Sequence, residues 1–353
     1  MINSNRISKN FIILSFLMLA AMVSNSMAAN FDTQCSDPDV VRCWGFDDIS
    51  TVSSGLTDAW YNPNGSYRGE DRCENGTCKT VDTAIKASGN GSLRMEIPSN
   101  SYADSSGSWK GNFSDDLSVQ FGEGEEFYTQ WRQRFSSSMI NTIYTNTDGQ
   151  GGWKTIIIGE GDRPGYHASS CTTLEIVINN YAYRGVPQAY YGCGSGGGFQ
   201  ESYGNYDFKL QSAYDAGVNA SPRYCLYSTG NSDSTRPLPG CFPYYPDEWM
   251  TFQVRTKIGN WGQPNSEVDI WVGREGQSST LLISQRNVVI QQEVQGASKY
   301  GKVWLTPYNT AKNGNQAHAT AYTWYDDLIV SRKKIPDPID LPRPSSPSNV
   351  IAR

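Results

Sequence analysis

Apolar and polar residues alternate along most of this chain, and that pattern predicts β-strands rather than helices. In the stretch 127–135 one face carries three aromatic residues, and the other carries Tyr128, Gln130, Arg132 and Arg134. A second alternating stretch, 249–258, precedes a loop rich in Asn, Gly and Pro and then the stretch 267–275, which predicts a hairpin. The same reasoning predicts further strands at 40–46, 92–97, 153–159, 173–179, 188–193, 281–285, 301–308 and 322–331. Many short strands separated by turn residues are typical of a sandwich or jelly roll.

The first 28 residues have the features of a signal peptide rather than of a folded element. Arg6 and Lys9 precede an apolar run, Phe11 to Val23, and small residues lead up to Ala28. The run is too short to span a bilayer comfortably, and no later apolar stretch reaches that length. We therefore expect export to the periplasm or the medium, with no membrane insertion.

All eight cysteines follow the predicted cleavage site, and an even number in an oxidising compartment indicates disulfides. A zinc site is the alternative, but no histidine lies near the pair at 73 and 78. Short loop closure favours the local pairs 35–43, 73–78, 171–193 and 225–241.

We expect one domain over residues 29–335 and a Pro- and Ser-rich extended tail over 336–353. An irregular insert, Gly194 to Pro246, interrupts the strands, and an insert of this length is usually functional or held by disulfides. The chain is expected to be monomeric.

The charge balance and histidine content exclude some classes of function. The chain has 29 Lys+Arg against 35 Asp+Glu, a net charge of −6, so it lacks the basic excess typical of nucleic-acid binding. Only two histidines are present, which excludes sites built on several histidine ligands. An acidic chain that binds a polyanion needs a local positive field at the site.

Three stretches resemble strands of the concanavalin A-like lectin and glucanase superfamily. They are Asp247-Glu248-Trp249 at the start of a long strand, Glu267–Glu275 (EVDIWVGRE), and Trp324–Ser331 (WYDDLIVS). In that superfamily a closing strand such as 324–331 returns beside an N-terminal one, here 43–48. The resemblance implies an all-β jelly roll, a sandwich of two curved antiparallel sheets, with a sugar chain bound in the groove of the concave sheet.

Within this superfamily, Gly151–Gly159 (GGWKTIIIG) resembles the Gly-Gly-Lys strand of jelly-roll polysaccharide lyases that cut alginate or glucuronan. The resemblance implies a basic residue at Lys154, polar residues on the next strand, and then a tyrosine strand. The corresponding residues are Glu175, Asn179, Gln188 and Tyr190. Two features depart from the lyase pattern: Trp153 separates the glycines from the lysine, and Glu175 or Val177 stands where an arginine is expected.

Such a lyase needs charge neutralisation and a base but no catalytic cofactor. A cation or amide neutralises the uronic acid carboxylate, and a tyrosine, lysine or histidine removes the adjacent proton. Lys154, Arg132 and Arg134 are candidate cations, Asn179 and Gln188 candidate amides, and Tyr190, His167 and Tyr308 candidate bases. Glu175 is a candidate substrate-binding residue.

Two other functions remain open, together with one structural ion site. The chain could be a carbohydrate-binding lectin that stacks sugars on Tyr and Trp faces. It could also be a glycoside hydrolase with Glu160 and Glu175 as its carboxylate pair, because Glu267-Val268-Asp269 lacks the second glutamate of the glucanase strand. Asp48 and Asp327 either share a structural calcium ion or cap strand ends.

Overall fold

A computed structural model describes the greater part of the chain. The described residues are 31–53, 79–103, 105–145, 152–163, 172, 174–180, 187–192, 206–208, 226–228, 235–237, 242–292 and 299–338. The predicted signal peptide, His167 and the cysteines other than 35 and 43 lie outside these ranges.

Most of the described elements belong to two antiparallel sheets. The eight-stranded sheet has the order β14-β13-β12-β5-β16-β3-β2, and β1 pairs with β16. Its strands are β1 (Val40–Trp44), β2 (Lys79–Asp82), β3 (Ser92–Ile97), β5 (Glu126–Phe135), β12 (Trp249–Lys257), β13 (Pro264–Arg274), β14 (Thr280–Val289) and β16 (Ala321–Ser331).

The second sheet is smaller, with the order β4-β15-β6-β7-β8-β9. Its strands are β4 (Trp109–Asn112), β6 (Trp153–Glu160), β7 (Glu175–Asn180), β8 (Gln188–Tyr191), β9 (Tyr206–Phe208) and β15 (Tyr300–Leu305). A separate hairpin joins β10 (Leu226–Ser228) and β11 (Thr235–Pro237). Three five-residue helices complete the described elements: α1 (Phe31–Cys35), α2 (Ile49–Ser53) and α3 (Ser137–Asn141).

An aromatic core lies between the sheets. Trp131 of β5 stacks on Phe252 of β12 with ring centroids 5.1 Å apart, and Phe135 packs on Trp153 of the other sheet at 5.0 Å. Because side chains alternate across a strand, burying one face of every strand in this core turns the other face outward. The chain is therefore an all-β jelly-roll sandwich, and the predicted fold class is confirmed.

The strand predictions agree closely with the structure. Each of the eleven predicted stretches coincides with a strand, β12 and β13 form the predicted hairpin, and β1 pairs with the closing strand β16. The pattern missed β2 and β4, as well as three-residue strands in the insert. The four residues of β4 (WKGN) are too few to show alternation, and all four are buried.

The outer face of the eight-stranded sheet is partly covered by both ends of the described chain. Ile335 packs there with Tyr128 and Ile329, next to α1. The predicted disulfide between Cys35 and Cys43 is present and ties α1 to β1. None of the helices in the described ranges is long and apolar enough to cross a membrane.

Buried glutamines fix the chain at Ile335. Gln253 accepts a hydrogen bond from the Ile335 backbone N–H at 2.9 Å and donates to the same residue's carbonyl at 3.0 Å. Gln130 and Gln34 donate to the carbonyl of Pro336. Pro336, the first residue of the predicted extended tail, is therefore held on the sheet. The limits of the domain and the other three disulfides stay predictions.

Replacing Gln253 with alanine should lower the free energy of unfolding by about 1–3 kcal/mol, because both backbone groups of Ile335 lose their buried partner. Urea denaturation of Gln253→Ala measures the loss. The control is Gln277→Ala, which changes an exposed turn residue. Equal stability of the two variants would contradict this account of the C-terminal contact.

Candidate functional site

Strand register brings four of the predicted residues to one face of the six-stranded sheet. Lys154 on β6 pairs with Asn179 on β7, and Asn179 pairs with Gln188 on β8. Tyr190 lies two residues beyond Gln188 and pairs with Val177. Residues paired across strands, or two apart within one, point to the same side, so all four positions share the face that the core does not use.

Two further sets of residues, each paired side by side across neighbouring strands, form rows across the same face. One contains Trp304 of β15 with Lys110 of β4 on one side and Ile157 of β6 on the other. The next contains Lys302, Gly159 and Glu175 on β15, β6 and β7. We call this surface the lysine face and define it by Lys110, Lys154, Glu175, Asn179, Tyr190, Lys302 and Trp304.

Lys154 and Tyr308 lie together at one end of the lysine face. The backbone N–H of Lys154 donates to the carbonyl of Tyr308 at 2.9 Å, and the Lys154 Nζ lies 5.5 Å from the Tyr308 ring centroid. Lys154, Tyr308 and Tyr190 are each half-buried, whereas Lys302, Trp304 and Glu175 are buried. The part of the face that solvent reaches therefore carries Lys154, Tyr190 and Tyr308.

The buried lysines have partners that hold them in place. Lys302 Nζ donates to Asp162 Oδ1 at 2.7 Å, and Asn112 exchanges hydrogen bonds with the Asp162 backbone. The Nζ atoms of Lys110 and Lys302 lie 4.4 and 5.4 Å from the Trp304 ring. Ion pairing and cation–π contact offset part of the cost of burying these charges.

Glu175 is the unusual member of the lysine face. Its side chain is 1% exposed, and neither carboxylate oxygen has a well-formed hydrogen bond to any described residue. Burial raises the pKa of Glu175 to about 8, although the charges of Lys154 and Lys302 and a weak contact with the Thr172 backbone act to lower it. The carboxyl group is therefore largely protonated at neutral pH.

Arg132 and Arg134 do not join the lysine face, which corrects the expectation that they contribute to one site with Lys154. Both lie on β5, on the outer face of the other sheet. Arg132 is buried there, with Nη1 3.8 Å from Asp327 Oδ2. Arg134 Nη2 lies 3.9 Å from Asp247 Oδ1. Alternation predicted their shared face, but it does not say which sheet contains the strand.

The two aspartates considered for calcium each have protein partners. The Asp48 carboxylate accepts hydrogen bonds from the backbone N–H groups of Ser50 and Thr51 at the start of α2. Asp327 accepts from the Ser88 hydroxyl. Within the described ranges no three His, Cys, Asp or Glu side chains are grouped to hold a metal ion. The structural calcium stays a prediction.

The alternative carboxylate pair does not share a face. Glu175 pairs with Gly159, and Glu160 follows Gly159 on the same strand, so Glu160 points to the opposite side. Two carboxylates on opposite sides of a sheet cannot flank one glycosidic bond.

Sequence reasoning missed Lys110, Lys302, Asp162 and Trp304. Two of them could have been found, because Lys302 and Trp304 alternate with Val303 and Leu305 in the strand predicted over 301–308. Their proximity to Lys154 depends on β15 pairing with β6, a long-range contact with no local signal.

No family model matches this chain, and no curated protein matches it. Solved structures with a similar fold include a PL-14 alginate lyase from Aplysia kurodai (14% identity, 72% of this chain and 86% of that one, TM-score 0.44). An endo-β-1,4-glucuronan lyase from Trichoderma reesei gives 14% identity, 78% and 92% coverage and a TM-score of 0.41. The binding domain of botulinum neurotoxin serotype C1 gives 8% identity, 73% and 43% coverage and a TM-score of 0.37. A likeness this distant does not transfer an activity, and the fold class rests on the sheets themselves.

Glu175→Gln should stabilise the protein at neutral and alkaline pH. The carboxyl pKa is raised from 4.5 in the unfolded chain to about 8 in the fold, so ionisation costs stability progressively between these pH values. Well above pH 8 the variant should be more stable by on the order of 4 kcal/mol, and below pH 4.5 the gain should vanish.

Urea denaturation as a function of pH measures this difference, with Glu96→Gln, a partly exposed glutamate on the other sheet, as the control. A gain that does not depend on pH would contradict the buried, protonated state of Glu175.

Proposed function

We propose that this protein is a polysaccharide lyase that cleaves a uronic-acid-containing glycan by β-elimination at the lysine face. The observation that carries the proposal is that register places Lys154, Asn179 and Tyr190 on one side of one sheet, with Tyr308 beside Lys154. A half-buried cation, an amide and phenols at one place are the groups that this elimination requires.

Lys154 and Asn179 bind the carboxylate of the uronic acid. The lysine supplies positive charge at the reachable end of the face, and the Nδ2–H group of Asn179 donates to a carboxylate oxygen. Removing the proton next to a carboxylate sends negative charge onto the carboxylate oxygens, so groups that neutralise them stabilise the transition state.

Tyr190 or Tyr308 removes the proton from the carbon next to the carboxylate. The electron pair of that C–H bond forms a carbon–carbon double bond as the bond to the glycosidic oxygen breaks. The products are an unsaturated uronate and a sugar chain whose new hydroxyl has taken up a proton. The phenolate that accepts the first proton becomes a phenol, and the leaving oxygen takes its proton from solvent; atoms and charge balance when the phenol returns its proton to solvent.

The proposed substrate and location follow from the same site. A chain with a net charge of −6 attracts a polyanion poorly as a whole, but the lysine face concentrates three of its lysines. Polyuronates occur outside cells, and the disulfide between Cys35 and Cys43 fits an oxidising compartment.

The test is to incubate the full chain with a panel of polyuronates and to follow the ultraviolet absorbance of the unsaturated product. The wild type should generate absorbance with at least one polymer. Lys154→Ala should lower kcat/KM by about 10²-fold or more, because the neutralising charge is lost. Tyr190→Phe and Tyr308→Phe identify the base, and the correct one should lower kcat by about 10²–10⁴-fold.

Two control variants change the same residue types away from the site. Lys257→Ala removes a lysine of the other sheet, and Tyr102→Phe changes an exposed tyrosine. Both should keep wild-type activity. Saturable polymer binding without absorbance would indicate a lectin, and new reducing ends without absorbance a hydrolase; either outcome overturns the lyase proposal.

A further inference from the structure

Within the described ranges, no hydrogen bond gives the buried carboxyl group of Glu175 a structural role. The other buried acid beside the lysine face, Asp162, is tied to Lys302 and Asn112, but neither oxygen of Glu175 has a well-formed hydrogen bond within the described ranges. Leaving a buried polar group unpaired costs about 1–3 kcal/mol, so this arrangement is held at the expense of stability. Such a group is expected where it meets a ligand.

The position of Glu175 on β7 directs its side chain to the same side as the proposed uronate-binding residues. Asn179 lies four residues further along the strand, and Lys302 lies across Gly159 in the same row. The charged and titratable groups on this side of the neighbouring described strands are Lys110 on β4, Lys302 on β15, Lys154 on β6 and Tyr190 on β8.

Gly159 lies between Glu175 and Lys302 in this row and has no side chain. A Cβ atom built at Gly159 lies 3.9 Å from the Glu175 Cβ and 3.3 Å from the Leu174 carbonyl, and meets no other described atom within 4 Å. A larger residue here would stand between Glu175 and Lys302. No side chain of β6 therefore stands between the acid and the lysine in this row.

We propose that Glu175 is the general acid of the elimination, and that its protonated carboxyl group gives its proton to the glycosidic oxygen as the carbon–oxygen bond breaks. This assignment rests on the proposed lyase function and adds to it a separate proton donor. The tyrosine then has one task, which is to remove the proton beside the carboxylate.

The proton balance closes over one turnover. The tyrosine phenolate gains the proton from carbon, and Glu175 loses one to the leaving oxygen, so the site ends with a phenol and a carboxylate. The phenol then releases its proton to solvent and the carboxylate takes one up from solvent, which restores the starting state. Lys154 and Lys302 stabilise the carboxylate while it exists, and burial returns it to the protonated form.

The test compares two substrates that differ in whether the leaving oxygen must be protonated. One is the polyuronate cleaved by the wild type, and the other is a synthetic uronide with 4-nitrophenolate at the position of the glycosidic oxygen. Nitrophenolate leaves without a proton, so it does not require the acid. Glu175→Gln should lower kcat on the polymer by about 10²-fold or more with little change in KM, and should keep near wild-type kcat on the nitrophenyl substrate.

Lys154→Ala is the matched comparison, because it should lose activity on both substrates. The wild-type kcat on the polymer should fall as pH rises through about 8, and this limb should be missing with the nitrophenyl substrate. Gly159→Leu, which places a side chain between Glu175 and Lys302, should raise KM for the polymer. The thermal unfolding of each variant, followed by near-ultraviolet circular dichroism, establishes that it is folded.

The outcomes separate the two proposals. An equal loss on both substrates, or full polymer activity in Glu175→Gln, overturns the acid assignment and leaves the lyase function standing. A wild type that eliminates neither substrate overturns both.

Discussion

The aromatic core shared by the two sheets constrains every other part of the molecule. Because Trp131, Phe252 and Phe135 must pack against the inner residues of the opposite sheet, each strand has one side committed to the core. The remaining side of each strand faces away from the core. On the eight-stranded sheet that side is partly covered by α1 and Ile335, and on the six-stranded sheet it is the lysine face.

The lysine face buries charged and polar groups, which lowers the stability of the fold in a way that a purely structural surface would avoid. Lys302 and Asp162 are a buried ion pair, and such a pair is often no better for stability than apolar residues of the same size. Glu175 is buried, and its carboxylate oxygens have no well-formed hydrogen bond to the residues that the structure describes. These costs are concentrated in one small sheet, next to the half-buried Lys154, Tyr190 and Tyr308. Several polar groups that are buried together away from water are typical of an active site.

The sequence allowed accurate prediction of what depends on local alternation. The strands, the two faces of β5 and the local disulfide between Cys35 and Cys43 are all present. Whether two strands belong to the same sheet depends on long-range pairing, which alternation does not encode. For this reason the sequence did not show that Arg132 lies on a different sheet from Lys154, and Lys302 was missed. Lys154 and Asn179 were placed together because β6 and β7 are neighbours both in sequence and in the sheet.

The most direct test of the account is a crystal structure of Glu175→Gln with a bound oligouronate, because this variant should bind substrate normally and turn it over about 10²-fold more slowly. The account predicts a sugar carboxylate within hydrogen-bond distance of Lys154 Nζ, with the tyrosine hydroxyl facing the adjacent carbon. An oligouronate bound on the outer face of the eight-stranded sheet, near Arg132 and Arg134, would contradict it.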